Sequence, residues 1–342
     1  MKRVFGIFVL IMALLSVAAC GALLPQEVHV ATERAFVMDT LAEVQIFYLD
    51  TPSMQAREAH RELAAQAMDI IRQMDEILDK HREGSDIWRV NNAGGSPVEV
   101  SSYTVEVLER SVYLRVLTGG AFDITIGAVT DLWSFTGEDA TPPDGVLVAA
   151  ALETVGTEIY ISGNVVQLSH PDAKIDLGAV GKGFAADVAA EFLRGHGVAA
   201  IINMGGDIVT VGERPGGTPW RLGLQAPFAD ISQIIGAVEV GQAGVASSGS
   251  YHRFFHHNGA LYHHILNPAT GFPVNNGIAS VSAIAPNGIL AEGLSTAVFV
   301  LGVTDGLALI EALDDVYVVI ILDDGTTLYS PGLYDRIFLH AH

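Results

Sequence analysis

The chain has very little cysteine: of its 342 residues, only Cys20 carries a thiol. Intramolecular disulfides, thiolate metal centres and a cysteine nucleophile are therefore excluded from the rest of the chain, because each needs a thiol there. Any catalysis or metal binding after residue 20 must use oxygen ligands, histidine nitrogens or backbone groups.

Positive charge is also scarce. The chain has 18 lysines and arginines against 39 aspartates and glutamates, for a formal net charge of -21 at pH 7. This balance argues against a nucleic-acid partner, since phosphate backbones are bound by clusters of Lys and Arg. A small polyanionic ligand would need a metal ion or backbone amides to offset the repulsion. With 50% hydrophobic and 17% charged residues, the composition is that of a folded protein rather than a disordered one.

The N-terminus has the pattern of a secretory signal. Lys2 and Arg3 precede an uncharged apolar run over residues 4–19, which is short for a membrane span. Small residues directly before Cys20 resemble the bacterial lipobox, in which the cysteine thiol is acylated and cleavage leaves it as the new N-terminus. We therefore interpret 1–19 as a lipoprotein signal peptide, 20–32 as a tether and 33–342 as a single domain. The protein would lie in the cell envelope, lipid-anchored to a membrane on the extracytoplasmic side. The alternative is an ordinary signal peptide that is removed together with Cys20.

The remaining pattern predicts one α+β domain, with a largely antiparallel sheet and helices packed against it. Alternating residues predict strands over 33–50. Apolar residues at helical spacing over 63–78 predict a helix, whose start is predicted near Thr51 and Pro52. Asn258-Gly259 and Asp324-Gly325 predict hairpin turns. The other predicted elements are strands over 174–177 and 199–204, a turn-rich segment over 80–97, and helices over 105–117, 181–194 and 289–301.

Two glycine-flanked segments are candidates for ligand binding. In residues 121–127, Asp123 lies between apolar residues shortly after a double glycine. An acid at such a position more often caps an element or forms a turn than binds a ligand. In residues 176–187 glycines lie between a predicted strand and a helix, where backbone amides can approach an anion. Lys182 could reach a phosphate there, or it could simply lie in solvent.

Two later segments carry side chains suited to catalysis and metal binding. His264 lies in a rigid proline-bracketed segment over 263–273 and could transfer a proton, although a lone histidine is more often structural. Glu292 and Thr296 are four residues apart on one predicted helix face, with Ser295 beside them. Carboxylate and hydroxyl oxygens suit a hard cation such as Mg2+. The alternative is a solvated Glu and a Thr bonded to its own helix.

Taken in order, these segments resemble the ApbE family of flavin transferases (FAD:protein FMN transferases). The resemblance runs from about residue 38 to residue 302. It is carried by residues 38–40, 85–91, 122–125, 175–183, 203–207, 248–251, 264–271 and the segment around Glu292.

The resemblance implies an ApbE-like fold and an enzyme that transfers FMN from FAD to a threonine or serine hydroxyl of an acceptor protein, releasing AMP. The acceptor would be a flavoprotein subunit of an envelope redox complex. Mg2+ would be the cofactor, and His264 would handle the proton. The implied metal ligands are the backbone carbonyl of Ala179 together with Glu292, Ser295 and Thr296. The implied contacts to FAD are Met38, His81, Ala121, Phe122, Asp123, Asp176, Lys182 and Ile265.

The sequence departs from the family pattern at Asp39, Ala128, Asn267 and Glu292, where glycine, proline, aspartate and aspartate are usual. Glu292 bears most on mechanism, because a ligand arm longer by one methylene must be absorbed by the helix or the ion. Two alternatives therefore stay open beside the transferase. One is a metal-dependent FAD pyrophosphatase that yields FMN and AMP, and the other is a non-catalytic FAD-binding lipoprotein.

Overall fold

The computed structural model describes residues 27–49, 53–135, 140–227 and 233–339. The predicted signal peptide, Cys20 and the tether up to residue 26 lie outside the described residues, as do Thr51 and Pro52. Residues 28–32, predicted as part of the tether, instead begin the first strand of the domain. The predicted α+β class is confirmed, with an antiparallel sheet of eight strands and helices packed on it.

The described strands and helices have the following bounds. The strands are β1 (Val28–Val37), β2 (Thr40–Leu49), β3 (Val98–Glu99), β4 (Ile159–Ser162), β5 (Val165–Leu168), β6 (Ala199–Met204), β7 (Asp207–Val211), β8 (Trp220–Gln225), β9 (Ile234–Val240), β10 (Gly244–Gly249), β11 (Phe254–His257), β12 (Ala260–His263), β13 (Ile278–Ala285), β14 (Tyr317–Leu322), β15 (Thr327–Tyr329) and β16 (Ile337–Leu339). The helices are α1 (Met54–Leu78), α2 (Asp86–Asn91), α3 (Ser102–Leu117), α4 (Gly127–Thr130), α5 (Gly145–Leu152), α6 (Gly181–Gly195) and α7 (Gly288–Glu311).

The central sheet has the order β1-β2-β6-β7-β10-β13-β14-β15 and is antiparallel throughout. Helices α1, α6 and α7 pack on one face, over the larger hydrophobic core. The sheet β16-β9-β8 covers part of the opposite face, where Phe47 meets the edge of Trp220 at 5.1 Å between ring centroids. The central sheet is therefore buried on both faces along much of its width.

The alternation of buried and outward-facing residues explains why helices pack on one face of the sheet. In β2, Ala42, Val44 and Ile46 are fully buried, while the residues between them face the other side. The buried positions of α1 recur every three or four residues from Ala64 to Leu78, as expected for one helix face against a sheet. Helix α7 is apolar and long enough to cross a membrane by composition alone. It packs against β10 and β13 as a core helix.

Several predicted elements differ from the structure. The helix predicted to begin near Thr51 begins at Met54, and the Ser53 side chain caps it by accepting from Ala56 N. The helix predicted to end at residue 301 continues to Glu311 past Gly302, whose positive φ of 83° interrupts the helical backbone. The segment predicted as turn-rich contains the short helix α2.

The strand predicted over 174–177 is reduced to one bridge, between Lys174 and Ile126. The backbone of this segment instead makes hydrogen bonds outside any sheet. The Asn91 amide both donates to Ile175 O (2.9 Å) and accepts from Ile175 N (2.7 Å), and Asp176 N donates to Ile124 O. The segment is therefore fixed without belonging to a sheet.

Two turns and the start of α6 meet at one end of the central sheet. The β1–β2 turn contains Met38 and Asp39, which both have positive φ (52° and 55°). The β6–β7 turn lies next to it, because Ala42 pairs with Met204 and Met204 pairs with Asp207. Met38 reaches α6, since a Cβ on Gly181 would lie only 3.4 Å from Met38 Cε.

Candidate active site

A cluster of one lysine and two carboxylates lies where α6 begins. The Lys182 ammonium hydrogen-bonds Asp207 and lies 3.4 Å from Glu292 Oε1. The residues come from the first turn of α6, the start of β7 and the second turn of α7. Asp207 and Glu292 are 7% and 5% exposed, so water screens their charges poorly.

Glu292 joins the two helices. Its Oε2 accepts a hydrogen bond of 2.7 Å from Gly183 N, one of the free amides in the first turn of α6. The positive end of the helix dipole stabilises a carboxylate there. The extra methylene of Glu292 is thus used to span from α7 to the backbone of α6.

The cluster is short of positive charge. Burial raises the pKa of Glu292 to about 7, despite the opposing charge of Lys182, and the charge of Asp207 adds to this rise. Burial alone would lower the pKa of Lys182, but the charges of Glu292 and Asp207 raise it above its ordinary value. When both carboxylates are ionised, the single ammonium leaves one negative charge uncompensated. An added cation would therefore be stabilised here.

Three hydroxyl groups lie on the same part of α7 and on the neighbouring strand β10. Ser248 Oγ is 2.8 Å from Ser295 Oγ and 3.0 Å from Thr296 Oγ1. Ser295 and Thr296 lie within one helical turn of Glu292, since they follow it by three and four residues. The structure thus places Lys182 against Glu292, with Ser295 and Thr296 about one turn further along the same helix.

The donor set suits a hard divalent cation. Within the described residues, no three histidine, cysteine, aspartate or glutamate side chains gather around one point to hold a metal. A cation at Glu292 would instead be held by one carboxylate, by hydroxyl oxygens, by a carbonyl such as that of Ala179, and by its ligand's phosphates. Mg2+ binds in this way at phosphate sites, where protein ligands are few. The residues present therefore fit Mg2+.

Asp176 lies in a second charged network. Its Oδ2 accepts from Lys80 Nζ (2.9 Å) and Thr130 Oγ1 (2.6 Å), and its Oδ1 accepts from Gly178 N (2.8 Å). Burial would raise the pKa of Asp176, but Lys80 and these hydrogen bonds lower it below its ordinary value. The carboxylate therefore stays ionised and holds the glycine turn in place.

The other predicted FAD contacts have different surroundings. Asp123 is paired with Arg115 Nε at 3.0 Å and accepts from Thr125, which makes it part of the local framework. Phe122 and Ile265 are buried, Ala121 is half-buried and His81 is exposed. Within the described part of the chain, no hydrogen bond or ion pair joins Asp123 to the Lys182 cluster.

His264 occupies an unusual environment. Its Nδ1 is buried and has no hydrogen-bond partner, and its ring meets the edge of Phe135 at 6.5 Å between centroids. Burial, with smaller contributions from His263 and Arg253, lowers the pKa of His264 to about 3. The imidazole is therefore neutral at pH 7.

Some residues of these clusters were not predicted as site residues. Asp207 and Ser248 lie in segments that carry the family resemblance, and a double glycine before Asp207 was the only local signal. No local signal marked Lys80 or Asp131. Lys80 contacts Asp176 and Asp131, which follow it by 96 and 51 residues in the sequence.

Comparison with known proteins places the chain among flavin transferases. A FAD:protein FMN transferase of Treponema pallidum is 31% identical over 347 residues, covering 96% of this chain and 94% of that protein. One from Vibrio cholerae is 31% identical over 271 residues, covering 78% of this chain and 81% of that protein. A crystal structure of an ApbE protein from Thermotoga maritima superposes with a TM-score of 0.79 at 28% identity, covering 89% of this chain and 97% of that one. The sequence profile of the ApbE family matches residues 38–320, and the chain therefore belongs to the ApbE family.

Proposed function

We propose that this protein transfers FMN from FAD to a threonine or serine hydroxyl of an acceptor protein and releases AMP. The observation that carries the proposal is the cluster of Lys182, Asp207 and Glu292 beside the glycine turn at the start of α6. A diphosphate needs backbone amides and an added cation here, because Lys182 is already paired with two carboxylates. The names of the relatives from Treponema pallidum and Vibrio cholerae support the same reaction.

The reaction exchanges a phosphoanhydride bond for a phosphoester bond. The acceptor hydroxyl oxygen forms a bond to the FMN-side phosphorus of FAD, while the bond from that phosphorus to the bridging oxygen breaks. The bridging oxygen leaves with AMP, and the hydroxyl proton is released. Such phosphoryl transfers are accelerated mainly by positioning and by charge neutralisation.

Each part of the site has a role in this scheme. Ala179, Glu292, Ser295 and Thr296 would hold Mg2+, which supplies the charge that offsets the diphosphate. Lys182 adds a second positive charge, and the glycine turn held by Asp176 brings backbone amides close. Met38, His81, Ala121, Phe122, Asp123 and Ile265 are the further proposed contacts of FAD.

His264 is the proposed acceptor of the hydroxyl proton. A neutral imidazole has one ring nitrogen without a proton, and that nitrogen can accept a hydrogen bond from a hydroxyl. A pKa as low as about 3 makes it a weak base, so it would orient the hydroxyl and accept its proton only as the bond to phosphorus forms.

The location of the protein is part of the proposal. Acylation of Cys20 would hold the enzyme at a membrane on the extracytoplasmic side, with an envelope redox subunit as acceptor. The tether would be short, since β1 begins at Val28.

Incubation with FAD, Mg2+ and an acceptor peptide tests the reaction by mass spectrometry. We expect FMN on the acceptor and AMP in equal amounts, with Glu292→Ala as the inactive control. Free FMN with an unmodified acceptor would instead identify a pyrophosphatase. Intact bound FAD would identify a carrier, and either result overturns the transferase proposal.

A further inference from the structure

Lys80 links three separate segments of the chain: its own, residues 130–131 and the segment around Asp176. Its ammonium donates to Thr130 Oγ1 at 3.0 Å, to Asp131 Oδ1 at 2.9 Å and to Asp176 Oδ2 at 2.9 Å. An ammonium has three N–H donors, so every donor of Lys80 is used. The Lys80 side chain is only 16% exposed. It is therefore fixed in one orientation rather than extended into solvent.

The three segments all belong to the proposed FAD site or border it. Lys80 directly precedes His81, a proposed FAD contact. Asp176 accepts from Gly178 N and so sets the start of the glycine turn. Asp131 ends α4, and four residues later Phe135 contacts His264. One ammonium thus fixes the spacing between the glycine turn and the segment that leads to His264.

Stability alone does not account well for this arrangement. Removing Lys80 and Asp176 from water costs free energy that their attraction only partly returns, so a largely buried ion pair stabilises a fold little. The segment around Asp176 is also held independently, through the Asn91 amide and the backbone of Ile124. What Lys80 adds is the orientation of the Asp176 carboxylate and hence of Gly178.

We propose that Lys80 is a positioning residue for FAD, which acts through Asp176 to hold the glycine turn in place against the diphosphate. The inference rests on the proposed function, because it assumes that FAD binds at this turn. Lys80 and Asp176 remain charged across the neutral range, since their mutual attraction opposes the effect of burial and shifts the two pKa values apart. The network therefore persists under the conditions of the reaction.

Lys80→Met tests the proposal, and Lys174→Met is the matched control. Lys174 also pairs with Asp131, at 2.7 Å, but does not contact Asp176. By calorimetry with Mg2+ present, we expect Lys80→Met to weaken FAD binding about tenfold, equivalent to about 1.4 kcal/mol. Turnover at saturating FAD should change less than about twofold, because the lost interaction serves binding. Lys174→Met should bind FAD like the wild type.

A double-mutant cycle with Asp176→Asn separates positioning from general destabilisation. If Lys80 acts through Asp176, Lys80→Met adds less than about twofold to the loss already caused by Asp176→Asn. Lys80→Arg, which keeps the charge but presents a planar group, should give an intermediate loss. That variant also covers the case in which Lys80→Met fails to fold.

Two results would overturn the inference while leaving the proposed function intact. One is a loss of FAD affinity that is no larger in Lys80→Met than in Lys174→Met. The other is independent, multiplicative losses from Lys80→Met and Asp176→Asn. If the wild type itself binds no FAD in the presence of Mg2+, both the inference and the proposed function fail, and that outcome is visible before any variant is compared.

Discussion

The Glu292 side chain is long enough for its carboxylate to make two contacts at once. One carboxylate oxygen accepts from the α6 backbone, while the other lies 3.4 Å from Lys182 Nζ. A usual aspartate at this position would be one methylene shorter, so its reach to Gly183 N would be reduced. The departure from the family pattern noted in the sequence is therefore accommodated by a direct contact between α6 and α7.

Substitution of the oxygen ligands tests the proposed metal site. We expect Glu292→Ala and Thr296→Val each to reduce the Mg2+-dependent reaction by about a hundredfold or more, because each removes an oxygen near the ion. The matched control is Ser282→Ala, which removes a buried hydroxyl bonded to Ser247 on the sheet. Activity measured over a range of Mg2+ concentrations is the readout. Full activity in both ligand variants would rule out this metal assignment.

The neutral state of His264 has consequences for pH dependence. Its pKa is lowered from 6.5 to about 3, so below pH 6.5 the unfolded chain binds a proton that the folded protein does not. Stability is therefore lost as pH falls from about 6.5 towards about 3. At about pH 5 this loss is up to about 2 kcal/mol. His264→Asn should lose less stability than the wild type between about pH 7 and about pH 5, as measured by urea unfolding.

The same histidine can be followed directly by NMR. We expect its ring signals not to titrate between about pH 5 and about pH 8, since its pKa lies below that range. A titration midpoint near pH 6.5 would show that the ring is not desolvated as described.

At the scale of elements, two glycines set how closely α6 approaches α7. A Cβ on Gly183 would lie 2.4 Å from Gly288 O, and one on Gly288 would lie 2.7 Å from Gly183 O. No side chain fits between these backbones. The approach is also held by Asp187, which accepts from Gly288 N and Ile289 N in the first turn of α7.

Gly183→Ala should therefore destabilise the protein by about 2 kcal/mol or more, because the added methyl group forces the helices apart. Gly195→Ala at the other end of α6 is the control, since its methyl group would meet nothing within 4 Å. That substitution should leave the free energy of unfolding unchanged or raise it by up to about 1 kcal/mol. Urea unfolding of both variants gives the comparison, and equal stabilities would contradict the close approach.

Local patterns predicted most elements but not the contacts between distant ones. The alternation in β2, the hairpin at Asn258-Gly259 and the helix α6 could be read from a few neighbouring residues. Residues 174–178 could not, because their backbone partners are the Asn91 side chain and the segment around Ile124.

The residues of the candidate site also fall into two groups, those that sequence motifs predicted and those that only the fold brings together. Lys182, Glu292 and Thr296 were predicted from family motifs, and the fold brings Lys182 and Glu292 into contact. Asp207 and Lys80 were missed as site residues, since their importance lies in ion pairs that only the fold creates.

At the scale of the whole molecule, β1 leads from the N-terminal segment to the proposed site. It begins at Val28, inside the segment predicted as the tether, and ends at the turn that carries Met38.

Cys20→Ala tests the anchor without changing the folded domain. We expect the variant to lose metabolic labelling by fatty acid and membrane association, because the acylated thiol is gone. The purified variant should retain FMN transfer in solution. Continued fatty-acid labelling of the Cys20→Ala protein would show that acylation does not occur at this residue.

The central claim is that a divalent cation lets a protein of net charge -21 bind the diphosphate of FAD at the glycine turn. Calorimetric titration with FAD, in the presence of Mg2+ or of a chelator, tests it most directly. We expect binding with Mg2+ and an affinity at least about tenfold lower with the chelator, because the diphosphate charge is then opposed only by Lys182 and backbone amides. Equal affinity under both conditions, or no binding with Mg2+, would contradict the account.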